Sequence, residues 1–398
     1  MNAKTPVIIR KKVDSDPGFQ SYYATTPRGL AEPLADELRD LGASIVRIDP
    51  AGVEFEGTLE TVYNANLRSR LATRILWRLA KFDYRNEQDV YDGARRILWH
   101  SYFGLERSFK IETSAVKSPL RSLDFITLKV KDAIADTFRD AFGKRPDVES
   151  REPEVRVHVF LDAKWATLYL DTSGEPLFKR GHRAAIGEAS VKKNLAAGIL
   201  RLAKWEPGIP LLDPMCGAGT FLVEAGEMSF GWAAGRGRRF GFENLNNYEA
   251  PLWEKLKAQA ASEEKEVVPV EIYGSDLYGR TLDNTRKNIE AAGLEGAVQL
   301  KQANLLEVSA PGPEGKLVTN PPYGVRIGDK DELAKFYPEL GHLLKQKFSG
   351  WTAYIFSGDP ELAKLIRLKP TRKTVLYNGP LECRLYVYPM VAGGNRKE

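Results

Sequence analysis

The chain has 398 residues and a formal net charge of +5, with the apolar and charged content of an ordinary globular protein. Its length allows two or three domains, and no apolar run reaches the length of a membrane span. The first residues, MNAKTPVIIRKK, lack the apolar core of a signal peptide. Two cysteines exclude a disulfide framework and disfavour a cysteine-rich zinc site, so we expect a cytoplasmic protein.

Charge is distributed unevenly along the first third of the chain. Residues 1–65 contain 7 Lys/Arg and 10 Asp/Glu, a net of −3, whereas residues 66–131 contain 14 Lys/Arg and 7 Asp/Glu, a net of +7. A basic block behind an acidic one favours an anionic partner, foremost RNA or DNA.

Strand and helix patterns alternate in the N-terminal half. SYYATT, SIVRID and GVEFEG are strand candidates, and GLAEPLADELRDLG predicts a helix that ends at Gly42. Further along, RSFKIETSAV predicts a strand, FITLKVKDAIADTFRDAFG a helix, and EVRVHVFLDAKWATLYLDTSG two strands around a turn.

A basic segment, NLRSRLATRILWRLAKFDYR, lies between these two groups. Its leucines and isoleucine recur at helical spacing, so it predicts an amphipathic helix. The opposite face carries basic residues at steps of three and four: Arg70, Arg74, Arg78, Lys81 and Arg85. This stripe is either the solvated face of a surface helix or a contact for phosphates.

The C-terminal half has the pattern of a parallel sheet. A basic loop, PLFKRGHRAAIGE, leads into an amphipathic helix, and we place the main domain boundary near residues 172–180. Short apolar strands then alternate with helices, which predicts a doubly wound α/β domain. TRKTVLYN and LECRLYVYPM flank a Gly-Pro turn and predict an antiparallel hairpin at one edge. In such sheets ligands bind at the carboxyl ends of the strands.

The first of these strand ends predicts a nucleotide-like cofactor. In LLDPMCGAGTFLVEAGEM, Gly217 and Gly219 let the backbone turn sharply and approach a ligand. The dinucleotide fingerprint is incomplete, because the third glycine is missing and Asp276 lies 63 positions after Asp213. Carboxylates at two neighbouring strand ends instead favour S-adenosylmethionine, with Asp276 on the ribose hydroxyls. Asn304, at the third strand end, is a candidate for the adenine edge.

The fourth strand end, in LVTNPPYGVRIG, predicts a site that holds an amine. An exocyclic base amine is a poor nucleophile because its lone pair is delocalised into the ring. The Asn320 side chain and the Pro321 carbonyl are two acceptors that would bind both N–H groups and aim the lone pair. Pro322 stiffens the turn, and Tyr323 would stack on a base removed from its helix or loop. The alternative is an ordinary turn that ends a strand.

These motifs, in this order, resemble class I S-adenosylmethionine-dependent methyltransferases that act on nitrogen. The wider sequence resembles the bacterial THUMP-domain RNA methyltransferases, and among them the guanine-N2 methyltransferases of 23S ribosomal RNA. The most specific stretches are LFKRGHRAAIGEASVKKNLAAGIL and LYNGPLECRLYVY. The resemblance implies a ferredoxin-like unit over residues 18–65, an RNA-binding THUMP domain over 66–172 and a Rossmann-like methyltransferase domain over 173–392.

The resemblance also implies roles for individual residues. Catalysis is assigned to Asn320, Pro321, Pro322 and Tyr323. The cofactor would be bound by Asp213, Gly217, Gly219, Asp276, Leu277, Asn304 and Leu305. RNA phosphates would be bound by Arg70, Arg74, Arg78, Lys179, Arg180 and Arg183. Asn304 departs from the family, which often has aspartate there, and His182 stands where an aromatic residue is usual.

Four other interpretations stay open on the sequence. Adenine-N6 DNA methyltransferases and glutamine methyltransferases of release factors share NPPY, and a tRNA guanine-N2 activity keeps the same chemistry. A non-catalytic RNA-binding assembly factor is a different class, disfavoured by the intact Asp213 and Asn320.

The insert at residues 228–265, with Arg236, Arg238 and Arg239, is either an RNA-facing loop or a decorated surface.

Overall fold

The structure is a computed structural model that describes residues 18–181, 191–322 and 330–391. In these ranges the strands form two seven-stranded sheets, each with helices packed against it. No helix in the described ranges is long and apolar enough to cross a membrane.

The first sheet is built by the N-terminal half of the chain. Its strands β1 to β7 are Gln20–Thr25, Ser44–Asp49, Gly52–Gly57, Arg74–Asp83, Phe109–Ala115, Val155–Leu161 and Trp165–Asp171. The helices α1 to α4 are Ala31–Asp40, Leu59–Arg68, Glu87–Arg95 and Leu123–Phe142. The strand order is β2-β3-β1-β4-β7-β6-β5, and only β5 and β6 pair in parallel. One continuous sheet therefore runs through the whole N-terminal half.

The helix predicted for NLRSRLATRILWRLAKFDYR is wrong. Helix α2 ends at Arg68, and half of the segment forms β4, which pairs with β1 on one side and β7 on the other. A bulge between Arg78 and Ala80 interrupts the two-residue alternation that would have marked a strand. Pairing with two neighbours overrides the helical spacing of the arginines.

The second sheet is built by the C-terminal half, and its predicted elements are confirmed. Strands β8 to β14 are Leu211–Asp213, Ile272–Asp276, Gln299–Gln302, Gly315–Thr319, Trp351–Ser357, Arg372–Asn378 and Leu381–Pro389. Helices α5 to α10 are Lys193–Leu202, Thr220–Ser229, Ala250–Ser262, Gly279–Ala291, Lys330–Lys347 and Pro360–Lys364. The order is β10-β9-β8-β11-β12-β14-β13, parallel as far as β12 and then antiparallel. The sheet is doubly wound with an antiparallel edge hairpin, as the sequence predicts.

The two halves share buried side chains. Leu30, from the N-terminal half, is fully buried in the apolar cluster that contains Leu195 and Leu376. In the opposite direction, the insert before α7 packs its Phe242 ring on Tyr63, with centroids 4.2 Å apart. The insert is therefore more than a decorated surface, because it completes the core of the N-terminal half. A contact between its arginines and RNA stays a prediction.

Candidate active site

The glycine loop between β8 and α6 forms a cradle. Gly217 and Gly219 have φ values of 54° and 73°, which glycine adopts without the strain of a Cβ atom. A Cβ added to Gly219 would lie 2.6 Å from Thr285 Cγ2, so this glycine is also needed for packing. A Cβ added to Gly217 would meet no described atom within 4 Å. The Gly217 backbone therefore borders open space that a ligand could fill.

Helix α8 and strand β9 hold this loop from behind. The Thr285 hydroxyl donates to the Gly217 carbonyl at 2.5 Å, and the Asn288 amide donates to the Ala218 carbonyl at 3.0 Å. The Gly217 N–H donates to Asp276 Oδ2 at 3.1 Å, which fixes the second predicted carboxylate beside the loop. Sequence reasoning missed Thr285 and Asn288, because nothing in a helical pattern marks which side chains face a distant loop.

Asp213 is buried at the end of β8. Its Oδ1 accepts hydrogen bonds from the Thr319 hydroxyl at 2.9 Å and from the Met215 N–H at 3.3 Å. Burial, with a smaller contribution from the nearby Asp276 carboxylate, raises the pKa of Asp213 to about 7. The bond from Thr319 connects the cofactor loop to the residue immediately before Asn320.

Asn320 follows the last residue of β11 and has an unused acceptor. Its side-chain oxygen is buried and finds no hydrogen-bond donor in the described part of the chain. Such a group costs free energy unless a ligand supplies the donor. The adjoining turn is fixed, because the buried Tyr337 hydroxyl of α9 donates to the Pro322 carbonyl at 3.1 Å. Tyr323 lies outside the described residues.

The third strand end is less informative. Asn304 Oδ1 accepts the Leu306 N–H at 3.1 Å, so the side chain caps a short helical turn. Leu305 is buried, whereas Leu277 is exposed beside Asp276. Both leucines follow strand ends of the same sheet edge, and their cofactor contacts stay a prediction.

The strand order brings the predicted residues to one edge. β8 lies between β9 and β11, and the chain leaves β8 in one direction towards β10 and returns on the other side with β11. This is the switch point at which doubly wound sheets bind ligands. Asp213, Asp276 and Asn320 therefore border a common region at the carboxyl ends of three adjacent strands.

Most of the arginines predicted to bind phosphate are paired with carboxylates of the chain itself. Arg70 and Arg180 both bond Glu224 Oε2, at 3.1 and 2.6 Å, and all three side chains are largely buried. Arg74 pairs with the buried Asp171, and Arg78 pairs with Glu54.

The predicted helical stripe of arginines is not formed, because Arg74 and Arg78 lie on strand β4 and pair with carboxylates. Lys179 is different, since its side chain stays 59% exposed although it pairs with Glu175 at 2.8 Å. Arg183 and His182 lie outside the described residues. Phosphate binding by any of these cations stays a prediction, and the geometry favours Lys179 over Arg70 and Arg180.

Three family descriptions cover nearly all of the chain. Residues 21–76 match the RlmL ferredoxin-like domain, residues 84–171 match the THUMP domain, and residues 180–387 match the family described as RMKL-like, methyltransferase domain. These matches agree with the predicted order of domains.

Individual relatives agree with these families. The Synechocystis protein slr0064, whose name describes an RNA methyltransferase, is 36% identical over 370 residues. The match covers 93% of this chain and 96% of that protein. Ribosomal RNA large subunit methyltransferase K/L of Methylococcus capsulatus is 39% identical over 379 residues, 94% of this chain. The chain spans only 51% of that relative.

A solved structure supports the cofactor prediction. The crystal structure of SMU.472 complexed with SAH has a TM-score of 0.85 and 30% identity, and the match covers 96% of this chain and all of that one. SAH is what remains when S-adenosylmethionine has given up its methyl group. Taken with the glycine cradle and the amide at the end of β11, these matches show that the chain belongs to the RMKL-like methyltransferases, with a ferredoxin-like and a THUMP domain ahead of the catalytic domain.

Proposed function

We propose that the chain transfers a methyl group from S-adenosylmethionine to an exocyclic base amine in RNA, namely guanine N2 of 23S ribosomal RNA. The observation that carries the proposal is the buried, unpartnered side-chain oxygen of Asn320. It lies next to Thr319, which bonds the carboxylate of the cofactor loop. An acceptor left unused beside a cofactor cradle is suited to an N–H donor of the substrate.

The residues present fit the cofactor. The open space at Gly217 would accept its amino-acid end, and Asp276, already oriented by the Gly217 and Tyr278 N–H groups, would accept the ribose hydroxyls. Each Asp276 oxygen accepts one backbone N–H in the structure and keeps a further lone pair for this purpose. When bound, S-adenosylmethionine supplies an electrophilic methyl carbon on a positively charged sulfur.

The chain's own contribution is positioning. Asn320 Oδ1 and the Pro321 carbonyl would bind the two N–H groups of the amine and hold its lone pair towards the cofactor cradle. Tyr337 fixes the turn through the Pro322 carbonyl. Transfer of the methyl group, in which sulfur keeps the electron pair of the broken S–C bond, would leave the amine cationic, and these two acceptors would stabilise that charge until a proton leaves to water.

The RNA part of the proposal is supported by the N-terminal half. A THUMP domain matches residues 84–171, and the relatives that cover the chain are named as RNA or ribosomal RNA methyltransferases. The basic balance of residues 66–131 suits a polyanionic substrate. A cytoplasmic location, expected from the sequence, stays a prediction.

The decisive experiment is nucleoside mass spectrometry on unmodified ribosomal RNA incubated with the protein and an isotopically labelled methyl donor. We expect labelled N2-methylguanosine from the wild type and none above background from Asn320→Ala. Asn247→Ala, which removes an exposed asparagine away from the site, is the matched control and should behave as wild type. SAH affinity should stay within a few-fold in both variants.

Three outcomes would contradict the proposal. Turnover retained by Asn320→Ala would mean that the amine is not held by this side chain. Labelled N6-methyladenosine instead of N2-methylguanosine would show that the substrate base is adenine and not guanine, and the amine-holding role of the site would stand. RNA binding without any methyl transfer by the wild type would favour a non-catalytic assembly factor.

A further inference from the structure

A second pocket lies where the N-terminal half meets the edge hairpin of the second sheet. Its volume is about 410 Å³, within the range of sites for small ligands. It is lined by residues from five segments: the loop after β1, the residue before β4, the linker after β7, the start of α5 and the β13–β14 turn. No carboxylate belongs to its described lining.

The polar groups of the pocket suit an anion and a hydrogen-bond donor. Arg28 and Lys192 are exposed, and neither forms an ion pair with a described carboxylate. Asn194 is fully buried; its Nδ2 donates to Thr73 Oγ1 at 3.0 Å, but its Oδ1 finds no partner in the described part of the chain. This second orphaned amide oxygen lies at the first turn of α5, whose N–H groups favour negative charge.

Two aromatic rings complete the lining. The Arg28 guanidinium lies 5.6 Å from the centroid of Tyr377, and the Lys192 ammonium lies 4.8 Å from that of Phe178. Each cation therefore rests on a ring and has a flexible stem that can move to a phosphate. Rings with adjacent cations are the surfaces on which single-stranded nucleic acids stack their bases.

The pocket opens on the same sheet edge as the amine site. Thr319 at the end of β11 is level with Ile355 of β12, and Ser357 is level with Arg384 of β14. The β13–β14 turn therefore projects beyond the carboxyl ends of the parallel strands. β13 is three strands from β11, which is roughly 14 Å at the usual spacing between strands.

We infer that this pocket binds one nucleotide of the RNA strand that flanks the methylated base. Its phosphate lies between Arg28 and Lys192, its base stacks on Tyr377, and a base N–H donates to Asn194 Oδ1. The inference rests on the proposed function for the identity of the strand. A few nucleotides of single-stranded RNA span the distance between the two sites.

The test is equilibrium binding of a fluorescent single-stranded RNA dodecamer of mixed sequence to the full chain, over a range of salt. We expect Arg28→Ala and Tyr377→Leu each to weaken binding by about five- to tenfold. Arg28→Ala should also make the salt slope shallower by about 0.7, whereas Tyr377→Leu should leave it unchanged because stacking releases no counterion. Arg286→Ala, which removes an exposed arginine from α8, is the charge-matched control and should stay within twofold of wild type.

Both substituted side chains are at the rim, and unchanged melting temperatures and SAH affinity would show that the variants are folded. The inference is overturned if either variant binds the dodecamer within twofold of wild type, if the wild type does not bind it, or if Arg286→Ala weakens binding equally. Because the assay needs no methyl transfer, it is independent of the chemistry. A protein that binds RNA through this pocket but methylates nothing would refute the proposed function and not the pocket.

Discussion

Cofactor binding should depend on pH through Asp213. In the unfolded chain this carboxyl has a pKa of 3.8, and burial raises it to about 7 in the folded protein. The cofactor brings a sulfonium and an ammonium group, and nearby positive charge favours the carboxylate. Binding should therefore release a proton from Asp213. At pH 6 only about one molecule in ten is ionised before binding, so the affinity should be about tenfold lower than at pH 8.

The assay is isothermal titration calorimetry of S-adenosylmethionine at pH 6 and pH 8, in buffers with different ionisation enthalpies. At pH 6 the wild type should release close to one proton, and Asp213→Asn should lose this release. The amino group of the ligand also titrates, at about pH 8, and Asp213→Asn reports that contribution separately. Equal affinities at both pH values, or the wild-type slope retained in Asp213→Asn, would refute the reasoning.

The same carboxyl affects stability in the absence of cofactor. Its pKa is higher in the folded state, so the native protein holds the proton more firmly than the unfolded chain does. The stabilisation of the folded state that results from this raised pKa is fully present below about pH 4 and is lost as the pH rises through 7. Asp213→Asn should remove this part of the pH dependence in chemical denaturation, and an unchanged profile would show that the group does not titrate there.

Three further substitutions test the framework of the site. Glu224→Ala leaves two buried arginines without their carboxylate, so it should lower the free energy of unfolding by roughly 3 kcal/mol in denaturant titration. The control Glu295→Ala removes an exposed carboxylate and should leave that free energy unchanged. Equal free energies for the two variants would contradict the buried ion pair. Gly219→Ala should weaken SAH binding at least tenfold, because its Cβ meets Thr285, whereas Gly208→Ala, with φ of 95° but no described neighbour within 4 Å, should not. Tyr337→Phe should lower kcat several-fold with SAH affinity unchanged; an unchanged kcat would remove its positioning role.

The parallel sheet and its strand ends could be predicted because their signals are local. The strands that carry the candidate site, β8, β9 and β11, are short apolar runs with a polar end, and the candidate residues lie at those ends. The fold rule for doubly wound sheets then places the ends together without any knowledge of long-range contacts. This rule places Asp213, Gly217, Asp276 and Asn320 at one edge of the sheet, and their roles stay a prediction.

The residues that hold the site could not be predicted, because their partners are far away in sequence. Thr285 reaches Gly217 across 68 positions, and Thr319 reaches Asp213 across 106. Nor could the sequence show that β4 is a strand, since its two neighbours lie about 50 residues before and about 95 after it. A strand is predicted from the two-residue alternation of apolar and polar side chains, and the bulge in β4 interrupts that alternation.

The arginines of β4 and the linker show why a basic segment is an ambiguous signal. Each of Arg70, Arg74 and Arg180 is paired with a carboxylate that lies at least 44 residues away in the sequence, so these three charges are not free for a phosphate as a linear count suggests. Arg70 and Arg180 instead connect the loop before β4 and the linker to Glu224 of α6, the helix that begins at the glycine cradle.

The contact between Arg70 and Glu224 and the insertion of Leu30 therefore join the N-terminal half to the domain that carries the cofactor loop. This junction has a consequence for the proposed binding of RNA. It places Arg28 beside Tyr377, and Tyr377 and Asn320 belong to strands of one sheet, so an RNA strand bound at the pocket would present a defined nucleotide to Asn320.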